Sequence, residues 1–297
     1  MLQFLIDTLL RATDLALIAF GLSLVYGLVK FPNIAHVQYA MLGAYLTYAL
    51  AAGGLPLPLA LSCAALLVGA LTLLLQRVVF QRLLKSGPAI AMIGSLAIAM
   101  LLVAAVQGAA GTFPRMFELP LRAPLVIGNA RVTPTQSYFF LTTVALLATF
   151  TVALFHTRLG RAMRALAGNP GLANASGLHA TRISQVVTFA SGAIAGLGGG
   201  LLALSTGAHI NLGHDLLLPV FAAAILGGLG NPMGAVAGAL LIAFTETLVT
   251  NLNLGWLVGE QVAFLPVSYI SGAAFLILLL ALLFKPYGLF DREVRRV

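Results

Sequence analysis

Residues 156–186 read HTRLGRAMRALAGNPGLANASGLHATRISQV and form the longest polar interruption in an otherwise apolar chain. The stretch carries four Arg and no Asp or Glu, and an apolar run of helical length stands on either side of it. Basic loops between membrane spans are retained in the cytoplasm during insertion. The stretch therefore predicts a multi-pass membrane protein that presents this loop to the cytoplasm.

The loop also shows helical order. Arg158, Arg161 and Ala165 recur at the spacing of one helix face, which predicts a short helix with a basic surface. Residues 169–175 predict a turn at Asn-Pro-Gly and then a second short helix, which Gly177 ends. Such a surface suits the docking of a soluble partner. A solvated loop that merely obeys the charge rule is the alternative.

Composition restricts the class of protein. Of 297 residues, 60% are hydrophobic and 8% are charged, whereas about a quarter of the residues of a soluble domain are charged. No stretch is polar enough for a separate soluble domain, so residues 1–297 predict one transmembrane domain. The net charge of +8 does not indicate a nucleic-acid partner, because the basic residues separate apolar runs. Cys63 is the single cysteine, so a disulfide framework is excluded within the chain.

The apolar runs predict nine candidate membrane spans, several of them shorter than the roughly 20 residues that cross a bilayer. The candidates are residues 10–28, 37–52, 56–75, 89–108, 136–155, 187–206, 217–229, 234–250 and 262–284. We therefore expect an all-α, polytopic integral membrane protein with about eight or nine transmembrane segments.

Charge predicts the topology. Residues 76–88, residues 156–186 and the C-terminal tail hold most of the 16 Lys and Arg residues, which places all three in the cytoplasm. The loop at residues 109–135 then lies outside, and residues 217–250 must form two passes or a re-entrant pair. The same count places the N-terminus outside. A re-entrant element at residues 14–36 would reverse that side.

Two interruptions of the apolar runs resemble each other. The chain reads GLVKFPN at residues 27–33 and GGLGNP at residues 227–232, and an apolar helix resumes after each. Irregular backbone persists in a bilayer where it is buried in protein or lines a wet cavity, and paired broken helices mark many transport pathways. We expect two broken or re-entrant helices that meet near the midplane; two surface turns are the alternative. The expected pathway residues are Asn33, His36, Gln38, Gly230, Asn231 and Glu246.

Ionisable groups inside membranes are costly and usually functional. Glu246, within an apolar helix, could line a pathway or pair with a cation from a neighbouring helix. Residues 196–200 are rich in Gly but lack the Lys of a phosphate-binding loop, so they predict close helix packing. The sequence shows no metal-ligand cluster and no nucleophile elbow, so neither an enzyme nor a cofactor is expected. A channel, an ion-coupled carrier and a subunit powered by a partner remain.

Four segments resemble the branched-chain amino-acid permeases of ABC importers, the shorter of the two related subunits. They are GLSLVYGLVKFPNIAHVQYAMLGAY at 21–45, RAMRALAGNPGLANASGL at 161–178, FAAAILGGLGNPMGAVAGALLIAFTE at 221–246 and KPYGLF at 285–290. The resemblance implies a permease that works with a second homologous permease, two cytoplasmic ATPase subunits and a periplasmic solute-binding protein. It also implies a bacterial inner-membrane location with a cytoplasmic C-terminus.

In that family the cytoplasmic loop is expected to dock on the ATPase. The implied coupling residues are Arg158, Arg161, Arg164, Ala165, Ala173 and Gly177. Val37 and Gln38 stand where the family often has Gly and an acid, which leaves the cargo open. Leucine, isoleucine or valine is the first expectation, and urea or a short amide is the alternative. The sequence also leaves open whether the permease pair is homodimeric or heterodimeric.

Overall fold

The computed structural model describes residues 1–119, 123–252, 270–285 and 288–290. In these residues regular structure is helical except for one antiparallel hairpin of β1 (Leu125–Ile127) and β2 (Ala130–Val132). The helices are α1 (Leu2–Val29), α2 (His36–Ala52), α3 (Leu57–Leu75), α4 (Pro88–Ala110), α5 (Pro134–His156), α6 (Arg158–Gly168), α7 (Pro170–Ala175), α8 (Ala180–Thr206), α9 (Leu212–Leu226), α10 (Pro232–Asn251) and α11 (Ile270–Phe284). Beyond α3 the helical path continues through a π turn (Gln76–Phe80), an α turn (Gln81–Leu83) and a 3-10 turn (Leu84–Ser86).

Among the described residues, six helical segments are long and apolar enough to cross a membrane: α1, α3 with its continuation to Ser86, α4, α5, α8 and α10. The all-α membrane class therefore agrees with the sequence prediction. Six is fewer than the eight or nine spans predicted, because α2 has 17 residues, α9 has 15 and α11 has 15. The predicted span at 262–284 is described only from residue 270, and the tail after Phe290 lies outside the described residues.

Helices α1 and α8 form the centre of the bundle, and the apolar 18-residue stretch within each of them is 78% and 72% buried, respectively. Glycines let neighbouring backbones approach α8 closely, as predicted for residues 196–200. A Cβ on Gly199 would overlap the carbonyl of Ala40, and a Cβ on Gly43 would overlap the backbone of Gly196. Small residues are the usual means of tight packing between membrane helices, and here they hold α2 against α8.

The basic loops at residues 76–88 and 156–186 lie at the same end of the bundle. The Arg77 guanidinium donates to Gln185 Oε1 at 2.8 Å, which joins the end of α3 to the start of α8. At the same end, the amide of Leu289 donates to the carbonyl of Leu226 at 2.7 Å. We call this the basic end. This shared end agrees with the charge pattern of the sequence.

The opposite end, the hairpin end, carries β1 and β2. The backbone amide of Arg131 donates to Gln3 Oε1 at 2.9 Å, so α1 begins there.

The predicted separation of residues 217–250 into two helical segments is also seen, because α9 and α10 are separate helices packed side by side. Their glycines meet at the turn, where a Cβ on Gly227 would overlap Gly234.

Candidate functional site

The first break returns the chain into the interior. After α1 ends at Val29, Lys30 adopts a left-handed conformation with φ 57, and α2 begins at His36. The His36 Nε2 lies 3.2 Å from the carbonyl oxygen of Ile18, and Ile18 stands 11 residues before the end of α1. At 1.5 Å per residue, the His36 ring, in the first residue of α2, therefore lies about 16 Å above that end. This start inside the protein is why α2 is too short to span alone.

Buried polar groups stabilise the first break. Asn33 is 5% exposed, and its Oδ1 accepts from the amide of Ala35 at 3.1 Å. The amide of Ile34 donates to Ser95 Oγ of α4 at 2.9 Å. Because no water reaches a bilayer core, irregular backbone there must find partners within the protein. The predicted broken element is present at residues 30–35.

The second break is a turn at the basic end. Gly230 has φ 94, its amide donates to Ser23 Oγ at 3.2 Å, and a Cβ there would lie 3.2 Å from Gly27 Cα. Asn231 Oδ1 accepts from the amide of Gly234 at 3.1 Å and caps α10. This segment connects α9 to α10 beside the last turns of α1.

The two breaks contact different faces of α1. Gly21 lies beside the His36 ring, whereas Ser23 binds Gly230. Two residues correspond to a rotation of about 200° in a helix, so these contacts point in opposite directions. In contrast to the prediction, the breaks do not form one site. The residues expected to meet there were Asn33, His36, Gly230 and Asn231.

The structural counterpart of the first break is at residues 207–211, between α8 and α9. Ala208 exchanges two backbone hydrogen bonds of 2.8 Å with Arg115 at the hairpin end. Only a few residues later Gly213, in the first turn of α9, lies against the carbonyl of Val37 and the side chain of Gln38. Thus α9, like α2, begins inside the bundle. Sequence reasoning missed this break, although the polar, glycine-containing stretch GAHINLGHD at 207–215 signals it.

A cavity of about 410 Å³ lies between the starts of α2 and α9 and the side of α4. Its polar wall consists of Gln38, Gln107, Asn211 and His214, and the rest of its lining is apolar apart from backbone. Gln38 is 8% exposed, and its Oε1 has no hydrogen-bond partner. Of the predicted pathway residues, only Gln38 lines this cavity.

Glu246 forms an ion pair. The Arg11 Nε donates to Glu246 Oε2 at 2.6 Å, and Glu246 is 2% exposed. Asp14 lies 3.6 Å from the same guanidinium. The sequence left open whether Glu246 lines a pathway or pairs with a cation from a neighbouring helix. In the structure it pairs with Arg11, and this contact joins α10 to α1. Sequence reasoning did not name Arg11, although it stands three residues before Asp14 in an apolar run.

Residues 158–175 form the two short helices that the sequence predicts. The Thr157 side chain caps α6 through the amide of Gly160 at 3.1 Å, and Asn169 caps α7 through the amide of Leu172 at 3.0 Å. The face of α6 that packs on the bundle buries Met163 and Leu166. The remaining face is therefore available at the basic end.

The predicted coupling residues fall into two groups. Arg158, Arg161 and Ala165 are exposed on α6, and Gly177, with φ 82, is exposed after α7. The other two are tied into the fold, namely Arg164 and Ala173. The Arg164 guanidinium binds the carbonyl of Leu154 and stacks 5.1 Å from the centroid of the Phe155 ring. Ala173 is 4% exposed.

Within the part of the chain that the structure describes, no group of three His, Cys, Asp or Glu residues is placed to hold a metal ion.

Comparisons with known proteins cover nearly the whole chain. Residues 4–285 match the family described as branched-chain amino acid transport system / permease component. The chain is 27% identical to the high-affinity branched-chain amino acid transport system permease protein LivH of Escherichia coli (strain K12), over 100% of this chain and 97% of the relative. It is 29% identical to the permease protein BraD of Pseudomonas aeruginosa, over 100% and 98%.

A further relative is the probable branched-chain amino acid transport permease protein LivH of Methanocaldococcus jannaschii. It is 30% identical over 93% of this chain and 88% of its own length. No solved structure matches the chain. The match along the chain, together with the helical membrane bundle, shows that the protein belongs to the family of branched-chain amino acid transport permease components.

Proposed function

We propose that the chain is the membrane permease subunit of an ATP-driven importer of leucine, isoleucine or valine. The observation that carries this proposal is the family match over residues 4–285. The geometry supports it, because two interrupted helices begin beside each other inside the bundle, an arrangement that lines many transport pathways. The pairing of Glu246 with Arg11 removes the acidic group that would have suited an ion-coupled carrier.

The energy source follows from the family, whose members are membrane components of ABC transport systems. We infer that the full transporter contains a second related permease, two ATPase subunits and an external solute-binding protein. The bundle is proposed to have nine passes, of which α2, α9 and α11 are shorter than a full span. An odd number of passes would put the N-terminus and the tail on opposite sides.

Transport by the reconstituted complex tests the proposed function. Proteoliposomes that contain the permease pair and the ATPases, supplied with the solute-binding protein, should accumulate radiolabelled leucine only with internal ATP. Removal of the ATPases should abolish accumulation. Accumulation driven by an ion gradient without ATP would indicate a carrier. ATP-driven uptake of urea, with none of leucine, would indicate the other cargo class.

The basic end is proposed to face the cytoplasm, in accordance with the charge rule. Single cysteines at Ser86, Ala175 and Asn129, all exposed, test the orientation in a Cys63→Ala background. In intact cells an impermeant thiol reagent should label only the cysteine at position 129. Labelling at position 86 or 175 from outside would reverse the orientation.

The exposed face of α6 and the segment after α7 are proposed to dock on an ATPase subunit. Arg161 is exposed, and its guanidinium makes only a 3.3 Å contact with the carbonyl of His156. Arg161→Glu should therefore leave the bundle intact but lower co-purification of the ATPase and uptake at least tenfold. Arg131→Glu, at the hairpin end, is the matched control and should retain both. Normal ATPase binding by Arg161→Glu would refute the docking role.

A further inference from the structure

The last four carbonyl groups of α5 are all contacted by the chain that follows it. Such carbonyls have no partner within their own helix and must be satisfied by other groups. The amide and the hydroxyl of Thr157 both donate to the carbonyl of Ala153. The guanidinium of Arg161 donates to the carbonyl of His156 at 3.3 Å. The two carbonyls between them face a second guanidinium, that of Arg164.

Arg164 makes the central contact at this helix end. Its guanidinium donates to the carbonyl of Leu154, lies 3.5 Å from the carbonyl oxygen of Phe155 and stacks 5.1 Å from the centroid of the Phe155 ring. A helix C-terminus carries a partial negative charge, and an aromatic face attracts a cation, so both contacts favour a guanidinium here. A Cβ on Gly160 would overlap the carbonyl of Leu154, so glycine lets α6 approach closely. These contacts join α5 and α6 at the basic end.

A cavity, by contrast, separates α6 from the turn between α9 and α10. Its volume is about 240 Å³. Met163, Arg164 and Ala167 line it from α6, and Gly230 and Met233 line it from the turn and the start of α10. Close-packed groups transmit a displacement, whereas an open gap does not. A displacement of α6 is therefore passed to α5 rather than directly to this turn.

Helix α5 in turn contacts two helices of the bundle. The centroid of the Phe150 ring lies 6.2 Å from that of Phe20 in α1, and Thr151 Oγ1 lies 3.2 Å from Met233 Sδ at the start of α10. Phe20 is 1% exposed and stands two residues after Ile18, beside which α2 begins. A displacement of α5 would therefore act on the helix against which the first break packs.

We propose that α5 and α6 move as one unit during transport and that Arg164 is the positioning residue that holds them together. In this role the Arg164 guanidinium does not bind the ATPase. It fixes the docking surface of α6 to the end of α5, so that ATP-driven displacement of α6 reaches the bundle through α5. The proposal rests on the proposed import function and on the docking of α6. It separates Arg164 from Arg158 and Arg161, which belong to the surface proposed to contact the ATPase.

Arg164→Met tests this role, because methionine keeps an apolar side chain near the Phe155 ring but removes the charge and the hydrogen-bond donors. In the complete complex, ATPase co-purification and ATP hydrolysis should stay within twofold of wild type, whereas leucine accumulated per ATP hydrolysed should fall at least tenfold. Arg164→Lys keeps the positive charge at the helix end and should recover part of the loss. Arg182→Met, at an exposed position in the first turn of α8, is the matched control and should transport normally.

A distance measurement tests the unit itself without a substitution at position 164. In a Cys63→Ala background, spin labels on Val152→Cys of α5 and Gly168→Cys of α6 should keep one separation in nucleotide-free and ATP-bound complexes. Val152 is exposed, and a Cβ at Gly168 meets open space. Labels on Gly168→Cys and Leu240→Cys of α10 should change their separation between the same states. A nucleotide-dependent change between positions 152 and 168 would overturn the proposal.

The outcomes separate this role from the proposed function. Failure of the wild-type complex to accumulate leucine with ATP would reject the proposed function. If wild type accumulates leucine, an unchanged ratio of leucine to ATP in Arg164→Met would reject the positioning role alone. A loss of ATPase binding in that variant would also reject it, because Arg164 would then belong to the docking surface.

Discussion

The break at residues 30–35 and the turn at residues 227–231 look alike in sequence but have different structural roles. The first sends the chain back along α1, so that α2 starts inside the bundle beside Ile18. The second ends at the basic end, where Asn231 caps α10. The stretches 27–33 and 227–232 that include them each contain Gly, Pro and Asn, and Gly and Pro interrupt a helix in both settings. The difference lies in their partners: Ser95 of α4 receives the amide of Ile34, whereas Gly230 packs on Gly27.

This difference shows that residues which break a helix do not by themselves mark a transport pathway. The interior break has a counterpart at residues 207–211, which contains no Pro, whereas the first break contains Pro32. What the two share is a following helix that begins within the bundle, α2 in one case and α9 in the other. The turn at 227–231 serves instead to hold α10 against α1.

The largest expected effect concerns the other end of that α1–α10 contact. Glu246→Ala leaves the Arg11 guanidinium, whose side chain is 32% exposed, with only Asp14 at 3.6 Å, and losing a hydrogen bond to a charged group costs about 1.5–3 kcal/mol. The free energy of unfolding, measured by SDS titration in mixed micelles, should fall by that amount. The double variant Arg11→Met/Glu246→Leu should recover most of it. If the single variant is as stable as wild type, the pair does not stabilise this contact.

Asn33→Leu and Asn231→Leu compare the two interruptions directly. Loss of Asn33 leaves the buried amide of Ala35 unsatisfied, which costs about 1–3 kcal/mol, and displaces the start of α2 beside the cavity. Leucine uptake should fall at least tenfold. Loss of Asn231 removes a helix cap worth about 1 kcal/mol, and uptake by the assembled complex should stay within about twofold because binding and coupling residues are untouched. Equal uptake by both variants would contradict the distinction between the breaks.

Gly230→Ala should destabilise the protein more than Gly54→Ala. Both positions have positive φ, 94 and 92, so each substitution carries the left-handed penalty of about 1–2 kcal/mol. A Cβ at Gly54 meets open space, whereas one at Gly230 would lie 3.2 Å from Gly27 Cα. The same SDS titration should resolve the difference. Equal losses of stability would mean that α1 moves freely away from the turn.

The smallest expected effect is at the start of the first break. Lys30 is the one non-glycine residue with positive φ in the described residues, and it is exposed. Lys30→Gly should relieve this strain and raise the free energy of unfolding by up to about 1 kcal/mol. Lys285→Gly, at the end of α11, is the control and should bring no such gain. A loss of stability in Lys30→Gly would indicate that the Lys30 side chain stabilises the break.

Much of the architecture could be predicted from local sequence. The apolar runs place most helices to within a few residues. The exceptions are α1, which begins at Leu2, and α8, which begins at Ala180, both before the predicted spans. Polar residues such as Arg11 and Arg182 extend these helices without making the added turns apolar. The short helices α6 and α7 also follow from local pattern, since capping and glycine termination act within a few residues.

The sequence by itself determined the membrane class, the family, the grouping of the basic loops and the presence of a break near residue 30. Hydropathy, charge and helix-breaking residues act locally, so they can be read without knowledge of the neighbours. Only the tertiary structure decided that Glu246 pairs with Arg11, that the turn at 227–231 lies at the basic end, and that residues 207–211 oppose the first break. Those outcomes depend on which helices pack together, because a buried group is stabilised by partners far away in the chain.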